Sequence, residues 1–229
     1  MNFMHGIGMR AEVSEVKGVS EQNFSQRVLD KYDKILGDDE LDETTEAEIE
    51  EQELAQEVFN PREDFEFAEF DFEDEGLKKV LDYFDESRWE GLGKEDKKAV
   101  TLVFTGYLTA KLDIREMPEV IYKKMPESFY GGYDYESNTM IINDKLLDNP
   151  NELADTIAHE MRHAYQHERA EIGETYQDAL YEYNFENYVS AERDMDGNWL
   201  YINEYEDQLV EVEAREFAER ITDVMEAKK

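Results

Sequence analysis

The chain has 229 residues, 40% of them apolar and 12% aromatic, enough for one sizeable domain with an appendage and a substantial core. Its 59 acidic residues against 24 basic ones give a net charge of −35, which repels nucleic acid and anionic membrane and favours cationic partners or metal ions. There is no cysteine, so disulfides, thiolate metal sites and cysteine nucleophiles are excluded, and any metal must be held by histidine and carboxylate.

The first residues, M-N-F-M-H-G-I-G-M-R, lack a basic segment followed by an apolar one and do not read as a signal peptide. No run reaches the ~18 apolar residues of a membrane span, so a cytoplasmic protein is expected. Residues 1–75 read as an acidic N-terminal region, partly helical and partly flexible. Ser20 to Leu36 carries apolar residues at helical spacing, with Gly37 as its stop. From Asp38 to Glu75 there are 19 acidic residues and one basic residue, Arg62. Within that stretch F-E-F-A-E-F-D-F alternates Phe with acid. It reads either as a solvated linker or as a regulatory segment that docks its Phe residues and lays carboxylates near a cleft.

A compact domain is expected over residues 76–229. Leu77 to Asp85 and Lys94 to Leu112 read as helices, the second with a wide apolar stripe. Ser128 to Asn143 changes period, and aromatic and β-branched residues flank Glu136-Ser137-Asn138, which predicts a β-hairpin. Asp148-Asn149-Pro150-Asn151 is turn chemistry, with Asn151 as the candidate cap of a following helix. Residues 151–227 read as helical throughout, broken near Gly173 and Asp196-Gly197-Asn198. The expected class is α+β, mostly helical with a small sheet.

Of the four histidines, His5, His159, His163 and His167, two fall in T-I-A-H-E-M-R-H-A-Y-Q-H-E at 156–168. On a helix, His159 and His163 share one face and can present imidazole nitrogens to a single ion. Glu160 projects roughly 100° around the helix, where a base must sit to deprotonate water at that ion. His167 lies about 12 Å along the axis from His159, too far for the same ion, and the metzincin pattern would need histidine where Arg169 stands. His167 is therefore expected at the surface, and Arg162 in a structural salt bridge. The third ligand must be a carboxylate. The best candidate is Glu211 in E-V-E-A-R-E-F-A, because Ala214 and Ala218 on its face would let that helix pack closely. Glu213, Glu182, Glu186 and Glu204 are alternatives.

H-E-M-R-H-A-Y-Q followed by E-V-E-A-R-E-F-A resembles the gluzincin metallopeptidases, and within them the small zincin-like peptidases of bacteria and phages, including the ImmA/IrrE type. The preceding G-G-Y-D-Y-E-S-N-T-M-I-I-N is similar to the strand segment beside the zincin active-site helix. The resemblance covers roughly residues 125–225 and implies a zincin-like domain and a Zn2+ ion held by His159, His163 and Glu211. It also implies Glu160 as general base and a protein or peptide substrate. One position departs: the family's Asp or Asn four residues after the ligand Glu, which supports a histidine ligand, is Arg215 here. An oxyanion-stabilising group is expected among Tyr176, Tyr181, Tyr183, Tyr188, Tyr201 and Tyr205, and an extended substrate is expected to pair with the 139–143 strand. The rival class is a non-enzymatic acidic interaction or regulatory protein with a degenerate or structural site. A hydrolase of non-peptide amides is a third.

Overall fold

The computed structural model describes residues 67–193 and 199–227. The helix expected over Ser20 to Leu36, the acidic stretch up to residue 66 and the Asp196-Gly197-Asn198 break lie outside the described residues. The fold is α+β, mostly helical with a small mixed sheet, as the sequence predicts.

Asp74 caps α1 (Glu75–Leu81) by accepting the Gly76 N–H, and Asp85 caps the short α2 (Glu86–Trp89) in the same way. A 3-10 turn, Asp82–Phe84, joins them. The single helix expected over 77–85 is thus divided, because Asp85 starts a new helix rather than continuing the old one. Trp89 stacks on Phe84, and its indole donates to the Leu147 carbonyl at 2.8 Å, so a fully buried ring keeps its polar tip satisfied. The next helix, α3 (Lys94–Lys111), follows its expected span closely and buries Phe104 and Leu108.

Three strands follow: β1 (Glu119–Lys123), β2 (Gly131–Asp134) and β3 (Thr139–Asn143). The predicted hairpin is β2 and β3, antiparallel, with Asn138 turning the chain at φ 47°. β1 was not expected. It pairs parallel with β3, so the order is β1-β3-β2 and all five β3 residues are buried. Strand 139–143 is therefore central and cannot accept a further strand. The edge beside the helices belongs to β2.

The central helix, α4 (Pro150–Ile172), is capped by Asn149, whose side chain accepts from Glu152 N at 3.3 Å. Asn151, the expected cap, is already inside the helix, because Pro150 is suited to the first turn, where no N–H is needed. Gly173 ends α4 at φ 65°, with its N–H on the Arg169 carbonyl. Beyond it, α5 (Tyr176–Glu186) opens on a reciprocal Thr175–Asp178 capping box. The chain then departs from the helix expected on either side of the break at residues 196–198. It forms a two-stranded ribbon, β4 (Glu192–Arg193) and β5 (Trp199–Leu200), before α6 (Ile202–Glu206) and α7 (Leu209–Glu226).

The most extensive helix–helix contact is between α4 and α7. Small residues, Ala154 and Ala158 on α4 and Ala214 and Ala218 on α7, are buried here. Leu153, Ile157 and Met161 are fully buried on α4, each worth about 1.5–3 kcal/mol. The core also crosses the boundary expected at residue 76. Phe67 and Phe70 are buried, and with Phe72 they surround Phe217 at ring-centroid distances of 5.0–5.6 Å.

Candidate metal centre

Helical spacing puts His159 and His163 on one face of α4, and α7 carries Glu211 up to them. Their Nε2 atoms are 3.1 Å apart. His159 Nε2 lies 3.5 Å from Glu211 Oε2, and His163 Nε2 lies 3.5 Å from Glu211 Oε1. Ligand atoms around a tetrahedral zinc with bonds near 2.0–2.1 Å are about 3.3 Å apart, so these three converge on one ion-sized point. Among the described residues they form the one such group of potential ligands.

Each member is held from behind. Gln166 Nε2 donates to the Val210 carbonyl at 3.0 Å, leaving Gln166 Oε1 to accept from His163 Nδ1–H at 2.9 Å. That bond keeps the proton on Nδ1 and leaves Nε2 able to bind an ion. Glu211 is only 1% exposed, and its oxygens accept from Tyr188 at 2.5 Å and Tyr205 at 2.8 Å. Burial raises a carboxyl's pKa, but the charge and hydrogen bonds of His163 and His159 hold Glu211 well below the usual range. Burial and the Glu211 charge push both phenols well above theirs, so both stay protonated donors.

Glu160 is buried, and burial raises its pKa against the pull of His159 and His163. Its Oε2 has no hydrogen-bond partner among the described residues. A buried carboxylate oxygen left bare costs on the order of 1–3 kcal/mol or more, which implies an occupant absent from the polypeptide, such as water. Glu160 and all three candidate ligands line one cavity of about 210 Å³. Phe129, Tyr130 and Gly131 form another wall, held there by Asn143, whose amide donates to the Phe129 carbonyl at 2.7 Å. At Gly131 a Cβ would lie 2.7 Å from Thr156 Cγ2, so glycine lets β2 come this close to α4.

The alternative third ligands fall elsewhere. Glu213 turns to the other side of α7, where it accepts from Arg162 Nε at 2.7 Å and the Tyr181 hydroxyl at 2.7 Å. Arg162 also pairs with Glu69 and lies over the rings of Phe67, Tyr165 and Phe217, confirming its structural role. Glu182, Glu186 and Glu204 are not among the residues lining the cavity. Neither are the docked Phe residues or Glu69, so residues 67–75 pack behind the centre rather than into it.

His167 is outside the ligand group, as expected, but it is no free surface residue: it stacks between Phe185 at 3.5 Å and Tyr135 at 4.5 Å. Among the six tyrosines considered, only Tyr205 lines the cavity. Arg215 also lines it and donates to the Glu206 carbonyl; the ligand support expected at its position comes from Gln166 on α4 instead. Gln166, Asn143 and Gly131 were missed because their roles depend on partners distant in sequence.

No protein-family model, curated protein or solved structure matches the chain. No helix among the described residues is long and apolar enough to cross a membrane.

Proposed function

We propose that this chain is a zinc-dependent peptidase of the gluzincin type, with His159, His163 and Glu211 as ligands and Glu160 as general base. The reading is carried by one observation: three ligand atoms 3.1–3.5 Å apart share a cavity with a buried carboxylate oxygen that has no partner among the described residues. Three protein ligands and an open cavity suit a catalytic centre, whereas structural zinc sites close with four.

Zinc at such a centre acidifies water and polarises a carbonyl. Glu160 Oε2 takes a proton from the attacking water as the new O–C bond forms, and returns it to the amine nitrogen as the C–N bond breaks. Burial raises the Glu160 pKa and so makes it a stronger base for that exchange. Tyr188 and Tyr205 fix both Glu211 oxygens, and Gln166 fixes the His163 ring, so the ligand set is organised before substrate arrives. β2 pairs only with β3 among the described strands, which leaves its other edge for an extended peptide beside Tyr130 and Gly131.

The test is metal content with hydrolysis of a peptide library. One zinc per chain is expected, lost on His159→Ala. Glu160→Gln is expected to keep the zinc and abolish cleavage. A freshly purified chain without zinc overturns the reading, and a fully active Glu160→Gln removes the assigned base.

A further inference from the structure

Arg215 stands where the motif it interrupts would place an acidic or amide side chain, and a guanidinium, which only donates, cannot take over support of a histidine. It lies one turn beyond Glu211 on the same face of α7, about 6 Å along the axis, and lines the cavity. No other arginine or lysine does so among the described residues.

In this strongly acidic chain Arg115, Arg162, Arg169 and Arg220 each meet a carboxylate. Two arginines, Arg88 and Arg215, meet no carboxylate among the described residues and donate to a backbone carbonyl instead, and of these only Arg215 lines the cavity. Glu206 and Asp155 line the same cavity. One Arg215 nitrogen donates to the Glu206 carbonyl, which anchors the side chain at the end of α6. The guanidinium is exposed and borders both this cavity and a neighbouring one beside Glu216 and Glu219, and its remaining N–H groups have no protein acceptor among the described residues. That fork matches a carboxylate in bidentate geometry.

We infer that Arg215 is a specificity-determining residue that recognises a carboxylate on the substrate next to the bond being cut. The inference rests on the zinc-peptidase reading. A carboxylate there comes either from an acidic side chain or from a free C-terminus. Asp155, Glu160, Glu206 and Glu211 on the cavity wall repel such an anion, and Arg215, the one arginine or lysine among the described lining residues, is the group that can pair with it. The surrounding negative charge works against substrates carrying many acidic groups, which makes a single carboxylate at one position the fitting feature.

The experiment uses the full zinc-loaded chain and three peptide hydroxamates. One has a free C-terminus, one a C-terminal amide, and one a C-terminal amide with a glutamate side chain. Calorimetry gives each Kd for wild type, Arg215→Met and Arg215→Lys, after zinc per chain is measured. At least one carboxylate ligand is expected to bind wild type 10- to 100-fold more tightly than the amide, on the order of a charge-assisted bidentate contact. Which of the two does so identifies the source. Arg215→Met is expected to erase that preference while leaving the amide ligand's affinity unchanged, and Arg215→Lys to restore part of it. Equal binding of all three ligands to zinc-loaded wild type overturns the role of Arg215 alone, and does so even where a variant fails to fold. Equal weakening of all three in Arg215→Met also overturns it, because Arg215 would then be only a latch on α6. A chain that holds no zinc overturns both this inference and the reading beneath it.

Discussion

Gln166 holds His163 at 2.9 Å while its own amide is tied to the Val210 carbonyl at 3.0 Å, so the backbone of α7 sets the tautomer of a histidine on α4. The helix that delivers Glu211 thereby also orients the neighbouring candidate ligand His163.

Replacing Gln166 by leucine keeps the volume but removes the acceptor. Zinc affinity is expected to fall about 10- to 100-fold, the usual cost of losing an outer partner of a ligand. A chelator competition titration measures it, and an unchanged affinity would deny Gln166 this role.

Glu211 and Glu213 lie two positions apart and should fail differently. Glu211→Gln is expected to lose zinc, because it removes the anionic ligand. Glu213→Ala leaves the buried Arg162 without its main partner and is expected to cost about 3–5 kcal/mol in denaturant unfolding. Protein that remains folded should still bind zinc. Zinc retained by the first and lost by the folded second would exchange their roles.

Gly131→Ala drives a methyl towards Thr156 Cγ2 and to 3.1 Å from the Ile141 carbonyl. Destabilisation of about 1–3 kcal/mol is expected, with partial recovery when Thr156→Ser is added. The added serine should do nothing for stability if β2 simply moves away from α4, and the double variant's melt separates the two cases.

Zinc uptake should release protons. In the metal-free chain burial alone would lower the His163 pKa, yet Glu211 and Glu160 raise it to about 9. This imidazole is therefore charged at neutral pH and must lose a proton to bind the ion. About one proton per zinc is expected near pH 7.5 and none above about pH 10, read from binding heats in buffers of different ionisation enthalpy. Heats independent of buffer near pH 7.5 would contradict this. The same shift governs metal-free stability. The His163 contribution is complete below its unfolded value of ~6.5 and is lost as pH rises through about 9. Glu211, held low, contributes above its unfolded ~4.3 and loses that contribution as pH falls. Glu160, raised by burial, costs stability as pH rises above its unfolded ~4.3. The melting temperature without metal is thus expected to drop between pH 7 and 9.5, and less so with zinc bound.

The local geometry of this protein was legible in the sequence. Residues four apart share a helix face whatever the fold, so His159 and His163 were identifiable as partners and His167 as too distant. The strand period around Glu136-Ser137-Asn138 likewise marked the hairpin, and the buried alanines Ala214 and Ala218 favoured the helix of Glu211. The sequence ranked Glu211 ahead of Glu213 by the face it shares with those alanines, but an acid-rich sequence offers carboxylates on every face. Only the tertiary structure brought Glu211 beside the histidines and turned Glu213 to Arg162. It alone revealed β1, whose parallel pairing joins segments with no turn signal between them, and so moved the open edge from β3 to β2. It also drew Phe67 and Phe70 into the core against Phe217, since alternation of Phe with acid reports a segment's polarity but not the surface that will bury it. Spacing fixes what a single element can present. Which elements face each other is decided by packing.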